Sequence, residues 1–104
     1  MNITNITIHI EPDPDEAGSF GVWASADLLV LLSEDADEAT YVMQRIRSPG
    51  IWDVDAEPDL SDPHIRELAN EELTELALIV QGLQRIPAVE VATEIEAWRK
   101  EHLA

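Results

Sequence analysis

The segment Arg45-Ile46-Arg47-Ser48-Pro49-Gly50-Ile51-Trp52-Asp53-Val54-Asp55-Ala56-Glu57-Pro58-Asp59 carries two arginines, a turn, a tryptophan and then four carboxylates at alternate positions. Before it the chain reads chiefly as strand and after it as helix, so it marks the passage from a sheet to a helical layer. Alternate residues of an extended chain point the same way at intervals of about 6.6 Å. Asp53, Asp55, Glu57 and Asp59 are therefore expected to line one edge as a row of negative charge, while Trp52 and Val54 anchor the opposite face.

Upstream, Ile6, Ile8 and Ile10 alternate with Thr7 and His9, the period of a half-buried strand that begins near Ile3 and leaves His9 on its wetter face. Two prolines and a glycine in residues 11–18 stop the ladder. Phe20, Val22 and Ala24 then alternate against Gly21, Trp23 and Ser25, which reads as the strand's partner. The apolar run from Leu28 to Leu32 fits a strand or a buried helix by period; pairing with the N-terminal strand favours the strand. Next, Ser33 or Asp35 as cap, acids at 34, 35, 37 and 38, and Ala39, Val42, Met43 and Ile46 at helical spacing predict a short helix. Arg45 and Arg47 fall in its last turn and Ser48-Pro49-Gly50 closes it.

Downstream, Ser61-Asp62-Pro63 places a cap ahead of a proline at the first helical position. Ile65, Leu68, Ala69, Leu73, Leu76, Ala77, Val80 and Leu83 recur every three or four residues and predict one continuous apolar helix face. Ile86-Pro87 breaks the pattern, and Ala88, Val91, Ala92, Ile95 and Trp98 predict the inner face of a final helix reaching Leu103. The fold class expected is α+β: a small antiparallel β-sheet from the N-terminal third packed against two or three α-helices from the C-terminal half. Residues 1–104 are long enough for a single domain with its own core.

The sequence holds 22 acidic and 6 basic residues, a formal charge of -16. Such a field repels nucleic acid and anionic lipid and speeds encounters with basic surfaces, so direct nucleic-acid binding is not expected and a cationic protein partner is. Salt adaptation or plain solubility explains the same composition without a partner. With no cysteine, disulfides and thiolate chemistry are excluded. No apolar run spans a bilayer and no export signal opens the chain, so neither a membrane site nor secretion is expected; the cytoplasm is. The two Asn-Ile-Thr triplets are then without consequence as glycosylation sites.

His9, His64 and His102 are scattered over separate elements, and neither a nucleophile elbow nor a phosphate-binding glycine loop is present, so no catalytic residue and no cofactor is expected. Asp13, Asp15 and Gly18 match three positions of a calcium loop, but Ala17 and Ala24 stand where further ligands belong, so no metal is expected there either. Glu67, Glu71 and Glu75 recur at i, i+4 and i+8 with Glu72 beside them; Glu90 and Glu94 begin a second row that Glu101 extends. Like charges at this spacing destabilise a helix by about 0.2–0.5 kcal/mol per pair. A solvated face tolerates that, and a cationic partner gives it a use: carboxylates on rigid elements can take the places of phosphates in a nucleic-acid groove.

The run from Ile46 to Asp55, followed by acids and by Glu67-Leu68-Ala69-Asn70-Glu71-Glu72-Leu73-Thr74-Glu75-Leu76, resembles a group of small acidic proteins encoded by phages, plasmids and other mobile elements. Gly21-Val22-Trp23-Ala24-Ser25-Ala26 is similar to the strand that precedes this pattern in that group, and together these segments cover about half of the chain. Ser48-Pro49 and Asp53 depart from the group's commoner glycines. The resemblance implies a mobile-element setting. By analogy of class and charge, it suggests a DNA mimic of the antirestriction or anti-CRISPR kind. The expected function is inhibition of a basic nucleic-acid-binding host protein, with Asp53, Asp55, Glu57, Asp59, Glu67, Glu71, Glu75 and Trp52 at the interface. The alternative is a protein-interaction or homodimerisation module, with Trp23 or Trp52 exposed, whose acidity serves solubility or salt adaptation.

Overall fold

A computed structural model describes residues 3–34, 39–55, 58–83 and 88–103. The elements are β1 (Ile3–Pro12), β2 (Phe20–Glu34), β3 (Ala39–Arg47), β4 (Ile51–Val54), α1 (Pro63–Gly82) and α2 (Ala88–His102). The class is α+β, a four-stranded antiparallel sheet under two C-terminal helices.

Strand β2 is the axis of the sheet. β1 pairs along one edge from Phe20 to Leu28, and the other edge is shared by β3, from Ser25 to Glu34, and β4, at Phe20 and Val22. The even-numbered side chains Phe20, Val22, Ala24, Ala26 and Leu28 face the helices and are buried. α1 returns Ile65, Leu68, Leu73, Leu76 and Val80, and α2 returns Val91 and Ile95, to form two adjoining apolar clusters. Each large aliphatic side chain buried this way contributes about 1.5–3 kcal/mol. Two periods, 2 along β2 and 3.6 along α1, meet in that one layer.

Two bulges keep the edge strands facing inward. In β1, Thr4 opposes Asp27 and Thr7 opposes Ser25, so three steps on β1 match two on β2, and Asn5 takes φ 58. The extra residue turns Ile3 to the same side as Ile6 and Ile8. In β4, Ile51 opposes Val22 and Val54 opposes Phe20, with Asp53 at φ 65. Ile51 and Val54, three apart, thereby both pack on the Phe20 cluster. In each bulge the extra residue is Asn or Asp, the side chains that best tolerate the left-handed region after glycine.

The helix expected over 39–46 is instead strand β3. The apolar spacing allowed a helix, but β2 runs for 15 residues and its second edge needs hydrogen-bond partners. An isolated helix of about nine residues has little stability of its own. The local pattern agrees with the strand: Arg45 and Arg47 are exposed while Ile46 and Ser48 are buried. Ser33 and Glu34, expected at the start of that helix, are the last residues paired in β2, and Asp35, Asp37 and Glu38 fall outside the described residues. The apolar run from Leu28 lies within β2, the strand alternative.

α1 begins where the Asp62-Pro63 step places it, with Asp62 Oδ1 accepting from the His64 amide at 2.8 Å. Leu83 and Ala92, expected on the inner faces, are exposed. The loop that joins the helices, with Ile86-Pro87, lies outside the described residues. Neither described helix is long and apolar enough to cross a membrane.

Candidate functional site: an acidic face along α1

Burial of Ile65, Leu68, Ala69, Leu73, Leu76 and Val80 fixes the rotation of α1, and the same rotation sends Glu67, Glu71 and Glu75 to solvent. Successive members are four residues apart, hence about 6 Å along the axis. No base of the described residues pairs with the row, although Arg66 lines the same face and Arg99 lies on Asn70 and Thr74 between its members. The two ion pairs among the described residues are Arg45–Asp27 at 3.7 Å and Arg99–Glu96 at 2.5 Å. Arg66 donates to the Leu103 carbonyl, and Arg99 donates to Asn70 Oδ1 at 3.1 Å and Thr74 Oγ1 at 3.0 Å. The row is thus displayed without an ion pair among the described residues, with the Arg66 and Arg99 guanidinium groups at its side.

Two shallow grooves flank it. One, about 680 Å3, runs past Ser61, Arg66, Glu67, Asn70 and Glu71; the other, about 560 Å3, lies between Gly50, Ile51, Glu71, Glu72 and Glu75. Glu71 and Thr74 line both, which makes the acidic face continuous.

Glu72 sits at the floor of the second groove, only 3 % exposed, and its Oε1 has no hydrogen-bond partner. Burial pushes its carboxyl above the ordinary glutamate value, and the charges of Glu75 and Glu71 push the same way. The adjacent Gly50 amide and Ser48 hydroxyl oppose the shift. Ser48 is itself locked to β2, its amide donating to the Ala24 carbonyl at 2.8 Å and its Oγ accepting from the Ala24 amide at 2.9 Å. The turn after β3 is therefore pinned to β2, beside the buried acid of α1.

The expected row through Asp53, Asp55, Glu57 and Asp59 does not form. β4 ends at Val54, and the bulge at Asp53 breaks the alternation that would have aligned them. Trp52 and Val54 face opposite sides of the sheet: Val54 joins the core, while Trp52 stacks on Trp23 with centroids 5.5 Å apart. Asp53 instead joins Asp13 and Glu16 of the β1–β2 turn, their carboxylate oxygens lying within 4.8 Å of one another. A hydrogen bond with Asp53, and then its charge, raise the Glu16 carboxyl above its usual range. This is the group of described residues whose spacing suits a hard cation such as calcium. Asp59 Oδ1 accepts from the Ser61 amide at 3.0 Å, and that bond holds its carboxyl below the usual aspartate range. Asp59 is thus spent on the turn that leads into α1. Asp55 is exposed beyond the strand's end, and Glu57 lies outside the described residues.

No family model, curated protein or solved structure matches the chain. The sheet face away from the helices completes the surface. There His9 stacks on Trp23 at 5.1 Å and bonds Ser25 Oγ at 2.7 Å, and the Arg47 guanidinium lies 4.6 Å over the Trp23 ring. Trp52 rests flat on Gly21, where a Cβ would fall 2.6 Å from its ring. These neighbours reduce Trp23 to 8 % exposure, against the expectation that it is free for a partner, and leave Trp52 at 41 %.

Sequence reading recovered the Glu67, Glu71 and Glu75 face and missed the assembly of Asp13, Glu16 and Asp53. It set Glu72 beside that exposed row, whereas the structure buries it; the available signal was its position, since 72 falls between Ala69 and Leu76 on the apolar stripe, where a carboxylate must be buried.

Proposed function

We propose that the protein is a non-enzymatic acidic inhibitor that binds a basic nucleic-acid-binding protein, occupying with carboxylates the sites its partner offers to phosphates. The observation that carries this reading is the row Glu67, Glu71 and Glu75 on a rigid helix, with no described base within ion-pairing distance of any of them. A row that merely kept the chain soluble would more often alternate in sign along the helix. The partner class we propose, by analogy of class and charge with acidic proteins of mobile elements, is defence machinery such as a restriction enzyme or a CRISPR effector, met in the host cytoplasm.

Substituting lysine at Glu67, Glu71 and Glu75 together is expected to abolish capture of such a nuclease, and to abolish competition with its DNA, while circular dichroism remains that of the folded chain. Binding should weaken steeply between low and high salt. Unchanged capture by the triple variant would remove the proposal. A second reading, a protein-interaction or homodimer surface, draws on Trp52 and Met43, the latter 57 % exposed, on the sheet face without helices. It is favoured if association is indifferent to salt and lost on Trp52→Ala.

A further inference from the structure

A buried carboxylate oxygen without a partner is uncommon, because its lost hydration is not returned by any bond within the fold. Glu72 Oε1 is in that position, at the floor of a groove whose rim carries Glu71 and Glu75. We propose that this groove receives the guanidinium of an arginine side chain from a basic protein partner. The inference rests on the acidic-face reading above and adds to it a specific point of attachment.

Three features select the ligand. First, Glu71, Glu72 and Glu75 do not all bring their oxygens within 4.8 Å of one another, unlike Asp13, Glu16 and Asp53, so they are set too wide to share one metal ion. A guanidinium is a planar fork with five donors and can reach a floor and a rim carboxylate at once, which a compact ammonium does less well. Second, Ile51 and Pro49 supply apolar wall beside the acids. The weakly hydrated faces of a guanidinium and the methylenes of its stem suit such a wall better than a strongly hydrated lysine head does. Third, the groove is about 560 Å3 and open to solvent beside the exposed row, so an arginine can enter from a partner lying along α1. A guanidinium held by the Glu71 and Glu75 rim would place its charge over Glu72, whose Oε1 no bond within the fold compensates, and steady its ionised form.

The test is NMR on the full chain, reading the Glu72 side-chain carboxyl carbon and the Gly50 and Ile51 amides. The titrants are an acetyl-Gly-Arg-Gly-amide peptide, its lysine counterpart and calcium chloride at matched ionic strength. Saturable shifts centred on these positions with the arginine peptide are expected, at least fivefold weaker with lysine and absent with calcium. Glu72→Gln should weaken the arginine peptide about tenfold and Glu75→Gln several-fold, while Asp15→Asn, on the β1–β2 turn, leaves it unchanged. Equal response to lysine, saturation by calcium at Glu72, or an unaltered affinity in Glu72→Gln overturns the inference. An oligo-arginine peptide separates the two claims. Binding lost in the Glu67, Glu71 and Glu75 lysine variant but intact in Glu72→Gln removes the pocket and leaves the acidic face standing.

Discussion

Asp53 concentrates two unfavourable features in one position. Its φ of 65 lies in the left-handed region, and its carboxylate meets Glu16 and Asp13. Glycine in its place relieves both. Asp53→Gly is expected to stabilise the fold by up to about 1 kcal/mol, and Asp53→Val to destabilise it by more than that, since a β-branched residue is strained at positive φ. Urea unfolding with an unchanged m-value reads the difference, and the same glycine variant should return the Glu16 carboxyl toward its ordinary pKa. Glu72 gives a second test, in pH. Its folded pKa is raised, so between the ordinary glutamate value and the folded value the native state holds more proton than the unfolded chain. Stability therefore falls as pH rises through that window, and the loss persists above it. Glu72→Gln is expected to raise the neutral-pH unfolding midpoint and to match the wild type once the pH is below the ordinary glutamate pKa. A variant less stable than wild type at pH 7 would mean that Ser48 and Gly50 outweigh the desolvation.

At the scale of the element, α1 carries its own repulsion on the side away from the core. Glu71 stands four residues from both Glu67 and Glu75, so Glu71→Lys exchanges two like-charge contacts for two attractive ones. The expected gain is roughly 1 kcal/mol at low salt, fading as salt screens the pairs. The same substitution should weaken capture of a basic partner, and thermal melts beside binding curves on one sample would show the opposition. No gain in stability would mean that the row does not repel itself. α1 was legible in the sequence because its signals are local: Asp62 and Pro63 start it, and spacings of three and four carry it. β3 was not, because what makes Ala39–Arg47 a strand is the unfilled edge of β2, a demand from elsewhere in the chain. The broken acid row has the same cause. The alternation from Asp53 to Asp59 presumed an extended backbone, and the register of β4 against β2 requires a bulge there, which turns Val54 inward and Asp53 toward the first turn.

For the whole molecule, charge and shape combine. A formal charge of -16 is spread over a body of 55 × 31 × 18 Å, so across the thinnest direction no two acids are more than about two Debye lengths apart at 0.1 M salt. At about 0.01 M, where the screening length is about 30 Å, opposite faces of the sheet and helix layers feel one another, and at about 1 M, where it is about 3 Å, they do not. Raising sodium chloride from about 20 mM to about 500 mM is expected to increase the unfolding midpoint by several degrees, because the folded chain concentrates the charge that the unfolded chain disperses. Affinity for a basic partner should move the other way over the same range, since the attraction that drives it is screened by the same ions. The two slopes discriminate between the uses of the acids. A protein shaped only by a salty surrounding gives the first slope without any cationic partner to give the second. A midpoint that ignores salt would show the carboxylates to be too far apart to matter, and the row on α1 would then be an ordinary solvated face.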